Sequence, residues 1–303
     1  MATLRKARAL RPGDTIGIAS PASPVEEDVL AAGEELIRAL GFEPHRGASV
    51  TARQGYLAGD DESRADELMQ LVRDESVHAV WCARGGYGCQ RILSRLDAKA
   101  VRAAAKPLVG YSDITTLLLW QRRAAGLVGV HGPMLEGGDA APTEAHRELA
   151  RALTGVGELP RLRGEAWSDG WCEGRLTGGS LSLVVASLGT PWEIDTRDAI
   201  LMLEEVGEAP YRIDRMLQQL RAAGKLEPAV GVGIGSLTGC EADEGPSATD
   251  VLREILEPLG VPTVAGLPFG HGDENRPWPH GGRAALDGGR GEIELLDFPV
   301  VKR

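Results

Sequence analysis

Cysteine is scarce in this sequence, and its spacing excludes two kinds of structural site. The 303 residues include 4 cysteines, which stand at positions 82, 89, 172 and 240. None of them belongs to a C-x-x-C pair, so the sequence predicts neither a zinc site nor a disulfide framework. The 6 histidines also lack the spacing of metal ligands. We therefore expect no metal and no cofactor.

Long apolar runs are absent as well. No stretch approaches the ~20 residues that a helix needs to span a bilayer. Basic residues near the start, among them Arg5, Lys6 and Arg11, are typical of a signal peptide. The turn at 11–14 follows them, however, instead of an apolar segment. We expect a soluble, reduced, cytoplasmic protein with no membrane partner.

Positive charge is in deficit. Lysine and arginine total 33 against 44 acidic residues, which gives a formal net charge of −11. Such a chain repels a phosphate backbone, and no basic stretch with interleaved aromatic residues offsets that total, so we expect no nucleic-acid partner. The shares of hydrophobic residues (43%) and charged residues (25%) are typical of a globular protein. The length favours two domains.

Short apolar runs alternate with amphipathic segments through the first half. The predicted strands cover 15–19, 77–82, 107–110 and 127–130, and the predicted helices cover 23–40, 62–75, 89–96, 114–124 and 143–153. Strands separated by helices imply right-handed crossovers and a mainly parallel sheet with flanking helices. At the first helix, Ser23, Pro24 and Glu26 predict an N-cap, a first helical residue and a capping box.

A glycine-rich, irregular stretch divides the chain. We predict an N-terminal domain over 1–155, a linker over 156–174 and a smaller, β-rich α/β domain over 175–303. The second domain includes a predicted strand at 199–204 and a predicted hairpin within 284–296. The fold class is therefore α/β in both halves.

Ser112 stands where an apolar strand ends and a helix begins, in the run G-Y-S-D-I-T at 110–115. A nucleophile benefits from such a turn, because its oxygen stands clear of the sheet and nearby amides can receive an oxyanion. The match to G-x-S-x-G is incomplete, since Ile114 takes the place of the second glycine. The alternative is that Ser112 or Asp113 caps the helix.

A glycine-rich loop, A-R-G-G-Y-G at 83–88, follows the strand at 77–82. Its glycines let backbone amides approach an oxyanion or a phosphate, and the Arg84 guanidinium suits a carboxylate. No complete phosphate-binding motif is present, which disfavours a nucleotide-dependent enzyme. The alternative is an ordinary glycine-rich turn.

Glu204 ends the predicted strand at 199–204 and Glu205 directly follows it. Their side chains point to opposite faces, because side chains alternate along a strand. Met202 shares the face of Glu204, and Leu203 shares the face of Glu205. An acid in this position can orient a histidine. The alternative is a solvated strand end.

His271 lies between two glycines in a loop, which gives it access and backbone freedom. His131, at the end of a predicted strand, competes with it for the role of general base. His280, in the loop P-W-P-H-G at 277–281, is a weaker competitor. A single loop histidine can also be merely exposed.

Together, in order along the chain, these segments resemble the LD-carboxypeptidase family of serine peptidases. The similar segments are L-R-P-G-D at 10–14, A-S-P at 19–21, A-R-G-G-Y-G at 83–88, V-G-Y-S-D-I-T at 109–115, L-E-E-V-G-E at 203–208, P-Y-R-I-D-R at 210–215 and P-F-G-H-G at 268–272. The resemblance covers nearly the whole chain. One departure is Ser180, where the family often has asparagine.

The resemblance implies an N-terminal domain with the nucleophile, a smaller C-terminal domain with the acid and the histidine, and an active site in the cleft between them. Carried over to this sequence, Ser112 is the nucleophile, Glu204 the orienting acid, with Glu205 as the alternative, and His271 the base. The resemblance also implies a homodimer. The implied activity is hydrolysis of the bond between an L-centre and the terminal D-alanine of murein tetrapeptides in cell-wall recycling.

Other residues complete the predicted site. We expect the backbone amides of Gly86 and Asp113 to form an oxyanion hole, and Arg84, Gly85 and Trp278 to bind the substrate. Two alternatives to a murein peptidase stay open. One is a microcin-immunity type hydrolase of peptidyl or aminoacyl nucleotides, with the same triad in a different pocket. The other is a non-enzymatic two-domain protein that binds an anion.

Overall fold

Two large β-sheets organise the chain. The structure, a computed structural model, describes residues 4–138, 140–241 and 244–302. Its strands are β1 (Ala7–Arg8), β2 (Thr15–Ala19), β3 (Glu43–Arg46), β4 (Val77–Cys82), β5 (Leu108–Val109), β6 (Gly129–His131), β7 (Arg161–Arg163), β8 (Glu165–Ser168), β9 (Trp171–Ser180), β10 (Ala199–Val206), β11 (Gly231–Thr238), β12 (Thr263–Ala265), β13 (Trp278–His280), β14 (Arg283–Asp287), β15 (Glu292–Leu295) and β16 (Val300–Val301).

Helices pack against both sheets. They are α1 (Glu27–Ala39), α2 (Asp61–Arg73), α3 (Cys89–Ile92), α4 (Ala98–Ala104), α5 (Ile114–Trp120), α6 (Glu144–Thr154), α7 (Leu181–Ala186), α8 (Pro210–Ala222) and α9 (Ala248–Leu256). None of the helices within the described residues is both long and apolar enough to cross a bilayer.

The N-terminal sheet has the strand order β13-β6-β5-β4-β2-β3. Its strands from β6 to β3 run parallel, as the alternation of strands and helices predicts. Ile18 on β2 pairs with Trp81 on β4, and both side chains are buried. Parallel strands covered by helices on both faces require apolar residues along their whole length, which explains the continuous apolar runs.

The C-terminal sheet has the strand order β7-β15-β14-β9-β10-β11-β12-β8. Its four central strands are parallel, and the predicted hairpin forms as β14 and β15. On β10, Leu201 and Leu203 belong to the core beneath α7, α8 and α9, whereas Ile200 and Met202 belong to the core on the other face. The predicted alternation along this strand is therefore confirmed.

The predicted linker over 156–174 is wrong. This segment contains β7, β8 and the start of β9, and all three strands belong to the C-terminal sheet. Gly164 separates β7 from β8 and Gly170 separates β8 from β9, whereas Gly174 lies within β9. The predicted bound at 175 falls within β9, whereas the bound at 155 stays a prediction.

The two halves of the chain interlock through β13. We predicted a loop at 277–281, but Trp278 and His280 lie in this strand, which pairs antiparallel with β6 and so joins the N-terminal sheet. Trp278 pairs with His131. Prolines suggested a loop because they cannot donate a ladder hydrogen bond, but a three-residue edge strand tolerates them.

An ion pair also joins the two halves. Arg276, two residues before β13, donates Nε to Glu148 Oε2 of α6 at 2.8 Å, and its Nη2 bonds to the other carboxylate oxygen. The Glu148 side chain is 4% exposed and that of Arg276 is 26% exposed. A two-point guanidinium–carboxylate pair in such surroundings fixes orientation as well as distance.

We predict that Glu148→Gln lowers the free energy of unfolding by about 2 kcal/mol, because it leaves the half-buried Arg276 guanidinium without its charge partner. Glu35→Gln is the matched control. Its partner Arg38 lies three residues away on the same helix, and the Glu35 side chain is 64% exposed. We expect that change to cost less than about 0.5 kcal/mol. Urea denaturation measures both, and equal effects would contradict this role of the pair.

Candidate active site

Ser112 sits in a strained turn between β5 and α5. Its φ is +58°, in the left-handed region that non-glycine residues avoid. The turn is closed by bonds from the amides of Ile114 and Thr115 to the carbonyls of Tyr111 and Ser112. No side chain caps the start of α5, so the capping interpretation of Ser112 and Asp113 is wrong for this helix. Such strain, of order 1–3 kcal/mol, is typical of a nucleophile presented at a sheet edge.

The Asp113 carboxylate connects the Ser112 turn to Cys89, the residue after the glycine-rich loop. It is 2% exposed, and its Oδ2 accepts a hydrogen bond from the Cys89 amide at 2.8 Å. Burial raises the pKa of Asp113, against the opposing effect of that bond and of the Arg64 charge. This contact ties the Ser112 turn to the end of the glycine-rich loop.

The glycine-rich loop lies directly against Ser112. A Cβ atom at Gly85 would lie 2.9 Å from Ser112 Oγ and 3.3 Å from the Asp113 amide nitrogen, so only glycine allows this approach. Gly86 has a φ of +100°. Among the described residues, none accepts a hydrogen bond from the Gly86 or the Asp113 amide. These two amides are therefore available to a ligand beside Ser112.

Ser23 holds this loop instead of capping a helix. Its amide donates to the Gly85 carbonyl at 3.1 Å, and its Oγ accepts from the Tyr87 amide at 3.2 Å. Helix α1 starts at Glu27, with Glu26 at the N-cap position and no side-chain cap. The predicted capping box is therefore wrong, because the Ser23 hydroxyl is engaged by the loop.

Arg64, which sequence reasoning missed, also anchors the loop. Its side chain is fully buried, and Nη1 donates to the carbonyls of Gly88, at 2.9 Å, and of Pro21. Nη2 pairs with Asp61 one turn earlier on α2. In the sequence, Arg64 is one polar residue of an amphipathic helix. Its burial depends on the folded loop, so no local pattern identifies it.

His271 meets Glu204 in the second half of the site. The Glu204 side chain is fully buried at the end of β10, and its Oε2 lies 2.7 Å from His271 Nδ1. The His271 amide donates to the same oxygen at 3.3 Å. Gly270, with a φ of +102°, makes the bend possible. A Cβ atom there would lie 2.7 Å from the Glu204 Cβ.

Charge sets the protonation of His271. Burial of the imidazole favours its neutral form, but the hydrogen bond and charge of Glu204, with the charges of Glu136 and Glu205, outweigh burial and raise the pKa of His271. A carboxylate on Nδ1 stabilises an imidazolium and leaves Nε2 to take a proton.

Glu205 is engaged elsewhere. Its Oε2 accepts from the Ser182 amide at 2.7 Å, at the start of α7, and its Oε1 accepts from the Val206 amide at 2.9 Å. Burial raises the pKa of Glu205. Of the two acids left open by the sequence, Glu204 is the one that contacts His271.

A cleft of about 540 Å³ opens beside His271 where the two halves meet. Tyr111 and Glu136 line it from the N-terminal half, and Gly270 and Asn275 from the C-terminal half. The Tyr111 hydroxyl donates to Glu136 at 2.7 Å, and its ring centroid lies 4.8 Å from that of His271. Tyr111 directly precedes Ser112, so the segments of the predicted nucleophile and base meet at this cleft.

Trp278 does not lie at the cleft surface. It is 1% exposed and stacks on His131, with ring centroids 4.7 Å apart. We predicted that Trp278 contacts the substrate because we expected it to lie in a loop, but it lies in β13. His131 itself is fully buried, and burial lowers its pKa to about 3, so it stays neutral beneath the site. His280 is likewise fully buried.

Arg84, the second residue of the glycine-rich loop, is half-buried. Its Nη1 donates to the Pro24 carbonyl at 3.3 Å, and its buried Nε has no partner among the described residues. Arg84 is not among the described residues that line the cleft. Its predicted contact with a substrate carboxylate stays a prediction.

Comparisons with known proteins cover nearly the whole chain. Residues 16–132 match the LD-carboxypeptidase N-terminal domain and residues 173–286 match the LD-carboxypeptidase C-terminal domain. A probable murein peptide carboxypeptidase of Bacillus subtilis is 38% identical over 93% of this chain and 91% of the relative. The murein tetrapeptide carboxypeptidase of Pseudomonas aeruginosa is 36% identical over 91% of this chain and 94% of the relative.

Solved structures agree with this similarity. A muramoyltetrapeptide carboxypeptidase from Oxalobacter formigenes has a TM-score of 0.86 and 29% identity, covering 94% of this chain and all of that one (100%). The Microcin C7 self-immunity protein MccF of Escherichia coli is more distant, at 26% identity over 94% of each chain. The two matched domains and these identities show that the chain belongs to the LD-carboxypeptidase family.

Proposed function

We propose that this protein is a serine LD-carboxypeptidase that removes the terminal D-alanine from murein tetrapeptides, with Ser112, His271 and Glu204 as its triad. The hydrogen bond between His271 Nδ1 and Glu204 Oε2 carries the proposal, because it orients a base whose ring lies 4.8 Å from the ring of Tyr111, the residue before Ser112. The names of the relatives in Bacillus subtilis and Pseudomonas aeruginosa support the substrate class.

The first half of the reaction forms an acyl-enzyme. His271 Nε2 takes the proton of Ser112 Oγ while that oxygen attacks the carbonyl carbon between the L-centre and D-alanine. The amides of Gly86 and Asp113 receive the oxyanion. Glu204 holds the imidazolium in place. His271 then gives its proton to the nitrogen of D-alanine as the carbon–nitrogen bond breaks.

The second half hydrolyses the acyl-enzyme. His271 takes a proton from water, whose oxygen attacks the same carbonyl carbon. The bond to Ser112 Oγ then breaks, and Oγ recovers its proton from His271. The products are a shortened peptide with a new carboxylate and free D-alanine, so atoms and charges balance without a cofactor.

We propose that Arg84 and Gly85 bind the D-alanine carboxylate. The unpartnered Nε of Arg84 supports this, because a buried guanidinium donor gains most from a charged acceptor. Gly85 brings the backbone against Ser112 Oγ. We also propose that the protein is cytoplasmic, where its four free cysteines would stay reduced. We further propose that it is a homodimer, as its family resemblance implies.

A murein peptide fits better than an aminoacyl nucleotide. A nucleobase binds by stacking on aromatic faces, but Trp278 is buried against His131. The relatives named for murein peptides, at 36–38% identity, are closer to this chain than MccF at 26%.

We predict that Ser112→Ala and His271→Ala each reduce kcat by about 10³-fold or more, and that the double variant is hardly worse, because the triad acts as a unit. Steady-state release of D-alanine measures this. Glu205→Gln is the matched control for Glu204→Gln, since Glu205 bonds to the start of α7 and not to His271. The reverse ranking of the two glutamates, or a loss in His131→Ala but not in His271→Ala, would contradict the assignment.

The pH profile follows from the raised pKa of His271. The base acts when neutral, so kcat/KM should fall as the pH drops through a value above the ordinary ~6.5 of histidine. In Glu204→Gln the residual activity should titrate at lower pH, because burial then dominates the pKa of His271. An unchanged acidic limb in that variant would show that Glu204 does not act on the base.

The handedness of the substrate tests the proposed activity. Matched tetrapeptides ending in D-alanine or L-alanine are offered together with an aminoacyl sulfamoyl adenosine, and mass spectrometry follows the products. We expect loss of alanine from the D-peptide alone, because inversion of that centre misplaces the carboxylate against its donors. Cleavage of the adenosine conjugate with both peptides intact would favour the microcin-immunity type of hydrolase.

A further inference from the structure

Ser236 lies on β11, beside the strand that carries Glu204. Its amide donates to the Phe269 carbonyl at 3.0 Å, which fixes the loop that leads to His271. Its side chain lies against two glycines of that loop. A Cβ atom at Gly272 would lie 3.0 Å from the Ser236 Cβ. Ser236 therefore sits directly beneath the backbone of His271.

The side chains of Ser236 and Glu204 both lie next to Gly270. A Cβ atom at Gly270 would lie 2.6 Å from Glu204 Oε2 and 2.7 Å from Ser236 Oγ. Ser236 Oγ and Glu204 Oε2 therefore lie on the same side of Gly270, although Ser236 Oγ makes no hydrogen bond to either oxygen of the carboxylate in this structure. Any larger residue there would push them apart.

Both groups have unused hydrogen-bonding capacity. Ser236 Oγ and Glu204 Oε1 are buried, and neither has a partner among the described residues. A buried polar atom without a partner destabilises the fold, and a charged one does so more strongly. A hydroxyl donor and a carboxylate acceptor are complementary, so one bond between them removes both costs.

We propose that Ser236 is a positioning residue of the active site, whose hydroxyl donates a hydrogen bond to the Glu204 carboxylate. The inference rests on the proposed triad. His271 holds one oxygen of this carboxylate, and a second bond stops rotation about the end of the side chain. It also draws negative charge away from the oxygen that faces the imidazole. Ser236 therefore sets both the orientation of His271 and its basicity.

Three variants separate a hydrogen bond from packing. Ser236→Ala removes the donor. Ser236→Cys keeps the volume but offers only a weak donor. Thr177→Val is the matched control, because Thr177 Oγ1 is also a buried hydroxyl without a partner, on β9 of the same sheet. Thermal unfolding of each variant verifies that it is folded.

We expect kcat for D-alanine release to fall about 10-fold in Ser236→Ala and in Ser236→Cys, with KM within about twofold of the wild-type value. Thr177→Val should keep the wild-type kcat. Nuclear magnetic resonance titration of the His271 ring gives a readout that does not depend on turnover. Loss of the bond should raise the pKa of His271 by a few tenths of a unit, because Glu204 then carries more charge. Glu136 and Glu205, which also act on His271, are unchanged in every variant.

Wild-type kcat in Ser236→Ala, full activity in Ser236→Cys, or an unchanged pKa of His271 would each overturn the inference. If Glu204→Gln is inactive while Ser236→Ala behaves as the wild type, only this inference fails. If Ser112→Ala and Glu204→Gln both keep wild-type turnover, the proposed function fails with it.

Discussion

The site depends on one buried charge. Glu204 is 1% exposed at the end of β10, in surroundings where a carboxylate without partners would be expensive. The bond to His271 Nδ1 provides a partner for Glu204 Oε2 and does not engage the other ring nitrogen. Glycine is required at position 270 for this bond, because any side chain there would collide with Glu204. The proposed catalytic geometry and the stability of this part of the fold therefore depend on the same hydrogen bond.

His271 is held from both sides by different sheets. Before it, the Leu267 amide bonds to the Ile234 carbonyl of β11 in the C-terminal sheet. After it, Trp278 pairs with His131 in the N-terminal sheet, and Arg276 pairs with Glu148. The loop that carries the histidine thus begins on one sheet and ends on the other. Because Ser112 follows β5 of the second sheet, β13 links the loop of the proposed base to the sheet that carries the proposed nucleophile.

Much of the fold was predictable because it follows local rules. Strands and helices of the first half follow from apolar periodicity, and the two faces of β10 follow from strand alternation. The failures share a cause, which is that tertiary partners override local signals. Ser23 has the sequence of a helix cap but holds the glycine-rich loop. Gly164 and Gly170 separate the short strands β7 and β8 from their neighbours, and Pro279 lies within the edge strand β13.

The difference between local sequence patterns and tertiary contacts also decides which site residues could be predicted. Ser112, Glu204 and His271 were found because their segments resemble a family, since no periodicity links residues so far apart in sequence. Alternation predicted that Glu204 and Glu205 diverge, but not which of them meets the histidine. Arg64 and Ser236 act through contacts that form only in the folded chain. Such supporting residues carry no signal in a single sequence.

The central claim is that His271 and Glu204 activate Ser112 as a nucleophile. Its most direct test is covalent labelling with a fluorophosphonate, followed by peptide mapping with mass spectrometry. The account predicts one phosphonyl group per chain, on Ser112, formed rapidly in the wild type and only slowly in His271→Ala. A protein that stays unlabelled under conditions in which it releases D-alanine, or a label on any other residue, would contradict it.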